Sequence, residues 1–182
     1  MECVRDVVVS YFVEKTPSNT ASLRLATAAD VPAIGAIYNY YVLNSTCTYD
    51  LEPESLADRE AWFAHHSPEK YPVIVADRDG EIVGWGSISK FRDRAGYDPT
   101  VEASVYVAAH FHRQGLGRAI LEDLIDRARA IGYHSVIGGT SAEQAASLAL
   151  QDTLGFERVA YLKEAGLKWG RWLDVVYTQL KL

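Results

Sequence analysis

The 182-residue chain is poor in cysteine: Cys3 and Cys47 are its two thiols, and their spacing suits no metal site. They read as free thiols of a reducing compartment, so the expected location is cytoplasmic. Five histidines include the pair His65-His66 but no His-x-x-x-His pattern, so no metal is expected. No apolar run is long enough to span a membrane. Val7–Val13 is apolar but has acidic flanks and no small-residue cleavage site, which argues against a secretory signal. Positive charge is also short: Lys and Arg total 18 against 24 Asp and Glu, a net charge of -6. Nothing therefore suggests a nucleic-acid or anionic-membrane surface. No Ser/His/Asp or activated-cysteine constellation is visible, so covalent catalysis is not indicated.

What is present is a 48% hydrophobic chain, enough for one domain with a real core. Residues 1–22 read as a poorly ordered N-terminal extension and residues 23–182 as a single domain. Leu23–Thr27 is a short strand. Asp30 is an N-cap before a helix whose buried stripe is Val31, Ile34, Ile37, Tyr38, Tyr41 and Val42. Pro53 opens a second helix that ends near Ser67-Pro68. Pro72–Ala76 and Glu81–Ser89 are strands joined by an Asp79-Gly80 turn. Thr100–Ala108 is a strand, Leu116–Ile131 a long helix stopped by Gly132, and Ser135–Thr140 the next strand. A short helix, Ala145–Leu154, precedes two closing strands at Phe156–Leu162 and Trp172–Leu180. The order is α+β, an antiparallel meander followed by a β-α-β-α-β part.

The chain is organised around Phe111-His112-Arg113-Gln114-Gly115-Leu116-Gly117-Arg118, a glycine loop between a strand and a helix. The first amides of a helix lack intrahelical partners, and the helix dipole makes that end partly positive. Glycines let a phosphate approach the backbone closely. On the glycines alone, a plain turn into a core helix fits as well. The loop lacks the Gly-Lys-Ser/Thr ending of a Walker loop, and Gly-x-Gly-x-x-Gly is incomplete.

The segment His112-Arg113-Gln114-Gly115-Leu116-Gly117 resembles the Gln/Arg-x-x-Gly-x-Gly/Ala acyl-CoA loop of the GNAT N-acetyltransferases, with His112 departing at the first place. Further matches are Tyr38-Asn39-x-Tyr41-Val42-Leu43-Asn44-Ser45-Thr46, Tyr97-Asp98-x-Thr100-Val101-Glu102, Leu154-Gly155-Phe156 and Ala165-Gly166-x-Lys168-x-Gly170-x-Trp172-x-Asp174. Together they are similar to the phosphinothricin acetyltransferase subfamily, over nearly the whole chain from Leu23 onward. The resemblance implies the GNAT fold, with the strands on either side of the long helix splayed and the pantetheine arm of acetyl-CoA between them. It implies cofactor contacts at Val105, Tyr106 and Val107 on the strand, at Arg113, Gln114, Gly115, Leu116, Gly117 and Arg118 in the loop, and at Gln144. It also implies a homodimer.

An amine must be deprotonated before it attacks a thioester. Glu102 alternates with Val101 and Ala103 and should face the cleft, although an ordinary exposed carboxylate fits the pattern equally. The resemblance makes it the general base. Relatives often carry a Tyr or His as acid where Gln151 stands, and an Asn where Gln144 stands. The resemblance implies an acceptor of the phosphinothricin, methionine sulfone or methionine sulfoximine type. Arg92, Arg94, Tyr97 and Lys168 are candidates to hold its oxygens, with Arg171 a further one; a solvated surface charge is the plain alternative for each. Other readings are acetylation of a polyamine, an antibiotic or a protein N-terminus, and a non-catalytic acyl-CoA-binding module.

Overall fold

The computed structural model describes residues 21–182. The apolar stretch Val7–Val13, Cys3 and nearly all of the expected N-terminal extension lie outside the described residues. The elements in chain order are β1 (Ser22–Leu25), α1 (Val31–Asn44), α2 (Leu56–Ala64), β2 (Val73–Arg78), β3 (Glu81–Lys90), β4 (Thr100–Val107), α3 (Leu116–Ile131), β5 (Ser135–Ser141), α4 (Ala145–Thr153), β6 (Glu157–Lys168) and β7 (Arg171–Lys181). They form one 7-stranded sheet in the order β1-β2-β3-β4-β5-β7-β6. Every pairing is antiparallel except β4 with β5. The α+β reading and the GNAT fold therefore hold.

Alternation along the strands sends side chains to two helical layers. Ile74 and Ala76 of β2 and Val101 of β4 meet the α3 stripe of Ile120, Leu121, Leu124, Ile125 and Ala128. Val73 and Val75 of β2, with Trp85 of β3, meet Ile34 and Ile37 of α1 on the opposite face. Two tight hairpins have positive φ at both central residues, as their strand twist requires. These are Asp79-Gly80 (φ 52° and 93°) and Trp169-Gly170 (φ 49° and 70°).

Three details depart from the sequence reading. Asp30 stands at the start of α1 but its side chain does not cap it. It turns back to accept from Arg24 at 2.7 and 2.8 Å and from the Thr27 amide at 2.8 Å. The Arg24 guanidinium holds its carboxyl down to about 2. α2 starts at Leu56 rather than at Pro53, because Ser55 and Asp58 form a reciprocal capping box there (3.2 and 3.1 Å). β6 runs on to Lys168, since a register shift between Leu162 and Gly166 lets it rejoin β7.

Candidate active site

β4 and β5 pair only at Thr100↔Ser135, Val101↔Val136 and Glu102↔Ile137. Beyond that point β4 stays with β3 as far as Val107, and β5 stays with β7 as far as Ser141. The sheet therefore splits from Ala103 onward. The split opens into a cavity of about 600 Å³, walled by Ala103–Val107, Gly138–Thr140, the start of α3 and one side of α4. Strand amides along the split have lost their sheet partner, which makes them available to a ligand.

The glycine loop closes one end of this cavity. Gly115 adopts φ +80°, a left-handed conformation that glycine takes without strain. Arg113 also has positive φ, at 60°. The Ala119 amide is the first to find its helical partner, the Gly115 carbonyl, at 3.0 Å. No side chain caps the helix, so the amides of its first turn face the cavity end where Arg113, Gly115, Leu116, Gly117 and Arg118 all line the wall. A Cβ built on Gly115 meets nothing within 4 Å, so the space beside the backbone is open for a phosphate. Gln114 turns its side chain away and accepts from Arg78 at 2.8 Å. Arg118 pairs with Glu122 at 2.8 Å. His112, the departure in the loop motif, lies 2.6 Å from the Tyr41 hydroxyl and 3.1 Å from the Val107 carbonyl, to which Tyr41 donates. The site thus ties α1 to the end of β4, a link the sequence reading did not contain.

Glu102 sits at the fork itself. Its carboxylate is half-buried, and a Cβ on Gly139 would come within 3.1 Å of Oε1. The bare glycine at 139 keeps the carboxylate open toward the split. Burial pushes the Glu102 pKa up, and the Arg92 charge partly opposes this. That is the direction a general base near neutral pH needs. Gln151 lies on the far wall, where its Nε2 donates to Thr140 at 3.2 Å and its Oε1 accepts from Thr178 at 3.0 Å. Both ends of the amide are engaged, so it braces β5 and β7 and has no proton to give. Gln144 also lines the cavity, with its Nε2 directed at Ser45 (3.2 Å) and Thr46 (2.9 Å).

The substrate-side candidates separate. Arg92 lies over the Phe91 ring at 4.9 Å and is near enough to influence Glu102. Arg94 and Tyr97 are exposed on the adjoining loop, with Tyr97 edge-on to Phe91. Lys168 is placed elsewhere: it is 1% exposed and its ammonium donates to the Thr48 carbonyl at 2.7 Å. That geometry makes it a brace between β6 and the loop after α1 rather than a group reaching an acceptor. Arg171 pairs with Glu143. Tyr41, placed by the sequence in the buried stripe of α1, lines the cavity, and so does Cys47, which nothing in its local sequence marks as a site residue. Among the described residues, no cluster of His, Cys, Asp or Glu could hold a metal, and no helix is long and apolar enough to cross a membrane.

A mixed sheet split beside a glycine loop and a helix N-terminus defines the acyl-CoA N-acyltransferase class. Residues 36–156 match the Acetyltransferase (GNAT) family, and the chain belongs to it. It is similar to the L-methionine sulfoximine/L-methionine sulfone acetyltransferase of Pseudomonas aeruginosa, 43% identical over 90% of this chain and 95% of that one. A GNAT-superfamily phosphinothricin acetyltransferase from Sinorhizobium meliloti, solved in complex with acetyl-CoA, superposes with TM-score 0.86 at 38% identity, covering 90% and 89% of the two chains. A ribosomal-protein-alanine N-acetyltransferase from Brucella melitensis also superposes at 0.86, with 40% identity over 88% and 99%. The protein is an N-acetyltransferase, and its family draws the acetyl group from acetyl-CoA.

Proposed function

We propose that this enzyme acetylates the α-amine of a small amino-acid-like acceptor of the methionine sulfone, methionine sulfoximine or phosphinothricin type, by direct attack in a ternary complex. The observation that carries the reading is Glu102, half-buried at the fork, with an arginine beside it. Acetyl-CoA supplies an activated acyl group. The first-turn amides of α3, with the loop from Arg113 to Arg118, hold its pyrophosphate. Amides of β4 between Val105 and Val107 hold the pantetheine arm and donate to the thioester carbonyl. Glu102 takes the proton from the incoming amine, directly or through one water. Arg92, with Arg94 and Tyr97 on the same loop, holds the acceptor's carboxylate. The exposed Val159, Tyr161, Trp169 and Trp172 on the β6–β7 hairpin, at the sheet edge, support a homodimer. The free Cys47 thiol agrees with a cytoplasmic location.

The test is a screen with acetyl-CoA, reading free CoA thiol. Methionine sulfone, methionine sulfoximine and phosphinothricin are expected among the best acceptors, with spermidine and an alanine-terminated peptide poor. A peptide or polyamine that outperforms every amino-acid analogue overturns the reading. The Glu102–Arg92 relation gives a second expectation. The Arg92 charge lowers the Glu102 pKa against burial, so Arg92→Ala lets it rise further. A base works only when deprotonated, so the acid limb of the kcat profile should move to higher pH. A limb that stays in place separates Arg92 from the base.

A further inference from the structure

The paired histidines His65 and His66 follow α2 and have no part in the site described so far. The last carbonyls of a helix lack intrahelical partners, and both rings turn back to supply them. His65 Nδ1 lies 2.7 Å from the Ala61 carbonyl, and His66 Nδ1 lies 2.8 Å from the Trp62 carbonyl. Capping the helix accounts for His65, whose ring is exposed. It does not account for all of His66. That ring is half-buried against Trp62, with centroids 4.2 Å apart, and its second nitrogen, Nε2, lies 3.1 Å from the Ser89 hydroxyl on β3.

These two contacts fix the tautomer of the ring. A carbonyl only accepts, so Nδ1 carries a hydrogen. Burial pushes the His66 pKa down, and His65 and Arg59 push the same way against the Trp62 carbonyl. The imidazole is therefore neutral near neutral pH, and Nε2 is a bare acceptor. Ser89 must then donate its one hydroxyl hydrogen to Nε2, which leaves only lone pairs on the other side of its oxygen. On that other side stands Glu102, the ladder partner of Ser89. Opposed residues of an antiparallel pair share a face with Cβ atoms about 4.5–5.5 Å apart, a gap that a glutamate carboxyl spans. Ser89 also lines a small pocket together with Ser104, which follows Glu102 on the same face of β4, so the space over these rungs is not filled.

Resting on the base assigned to Glu102 above, we propose that His66 is a positioning residue for the proton transfer: it holds the Ser89 hydroxyl as an acceptor toward Glu102, so that Ser89 receives the carboxyl once it has taken the amine's proton and offers nothing to the bare carboxylate. The ammonium loses one proton and the Glu102 carboxylate gains it. The new O–H donates to Ser89 Oγ, while the serine keeps its own hydrogen on His66. After acetyl transfer Glu102 returns the proton to solvent. A serine hydroxyl freed from His66 would act in the opposite sense: it would donate to the carboxylate, favour the ionised form and weaken the base. Other charged and titratable groups face this cluster from the surrounding elements. Arg59, 3% exposed and stacked on Trp62 at 4.7 Å, His65 and Tyr71 stand around His66. Arg92 and the Tyr177 ring stand around Glu102.

The experiment is the pH profile of kcat at saturating acetyl-CoA, with the best acceptor of the screen above. His66→Phe frees the Ser89 hydroxyl, so the acid limb should move about one unit to lower pH and the plateau of kcat should fall about threefold. That direction is opposite to the one expected of Arg92→Ala. The acetyl-CoA KM should not move. His66→Gln sets an amide oxygen near the place of Nε2 and should bring the limb most of the way back. Ser89→Ala removes the acceptor, so its limb should move down by less, and adding His66→Phe to it should move the limb no further. Nitrogen NMR of the wild-type enzyme should find His66 neutral, with its hydrogen on Nδ1. Thermal melting shows which variants are folded; should His66→Phe not fold, Ser89→Ala and the tautomer still decide. An unmoved limb in His66→Phe or in Ser89→Ala, a further shift in the double variant, or a His66 hydrogen on Nε2 overturns the inference. In each of those cases Glu102→Gln would still be slow, leaving Glu102 as the base. If Glu102→Gln turns over like wild type, the base falls and this inference falls with it.

Discussion

Glu102→Gln is expected to lower kcat by roughly 10²- to 10⁴-fold near neutral pH, with the acetyl-CoA KM almost unchanged. The substitution keeps the side chain's size and its place at the fork, but the amide cannot accept the amine's proton. A protonated amine has no lone pair for attack, so the loss should be large. The other half of the proton balance is less demanding. The CoA thiol leaves with a pKa near that of a free cysteine thiol, about 8.5, so an acid helps without being required. This agrees with Gln151 standing on the far wall with both ends of its amide already engaged. Raising the pH should restore part of the Glu102→Gln loss, because more of the amine is then already free. A variant that turns over like wild type at neutral pH would place the base elsewhere and remove the centre of the mechanism.

Gly117→Val is expected to raise the acetyl-CoA KM about a hundredfold while leaving the melting temperature nearly as it was. A Cβ at this position meets only Leu150 Cδ2 at 3.7 Å and Val107 Cγ2 at 3.9 Å, both ordinary contacts. The protein itself therefore tolerates the added atoms. A pyrophosphate seated against the first-turn amides would not, and each charge-assisted hydrogen bond lost is worth about 1.5–3 kcal/mol. Gly115→Val makes a useful contrast. No atom obstructs it, but φ +80° strains a β-branched residue, so that variant should lose stability as well as affinity. Calorimetry with acetyl-CoA and thermal melting on both variants separate the two effects. Wild-type affinity in Gly117→Val would mean that the phosphates do not rest on this loop.

Most of the architecture was legible in the sequence because its signals are local. The 3.6-residue stripe from Leu116 to Ala128, the Asp79-Gly80 turn, the Gly132 stop and the strand before the glycine loop all depend on residues close together in the chain. Boundaries were less legible where two local signals compete. Pro53 looks like a helix start until the Ser55–Asp58 box is seen, and the strand expected to stop at Leu162 in fact continues to Lys168.

The half of the cavity to which catalysis is assigned under the proposed function was partly legible too, since Glu102 and the glycine loop lie on one strand-loop-helix run. The place where the sheet splits was not, because it depends on β4 holding β3 and β5 holding β7 more extensively than they hold each other. That balance is a sum over pairings between distant segments. The burial of Lys168 was not legible for a related reason: its ammonium donates to the Thr48 carbonyl, a contact that only folding creates. Arg59 gave no sign at all. In the chain it is one charge in an ordinary amphipathic helix, and only tertiary packing stacks it on Tyr38 and buries it over Trp85. By itself the sequence determined where a glycine loop and a carboxylate stand along the chain. The tertiary structure decided where the sheet opens between them and which buried charges surround the opening, because burial and pairing are properties of segments brought together and not of any one segment.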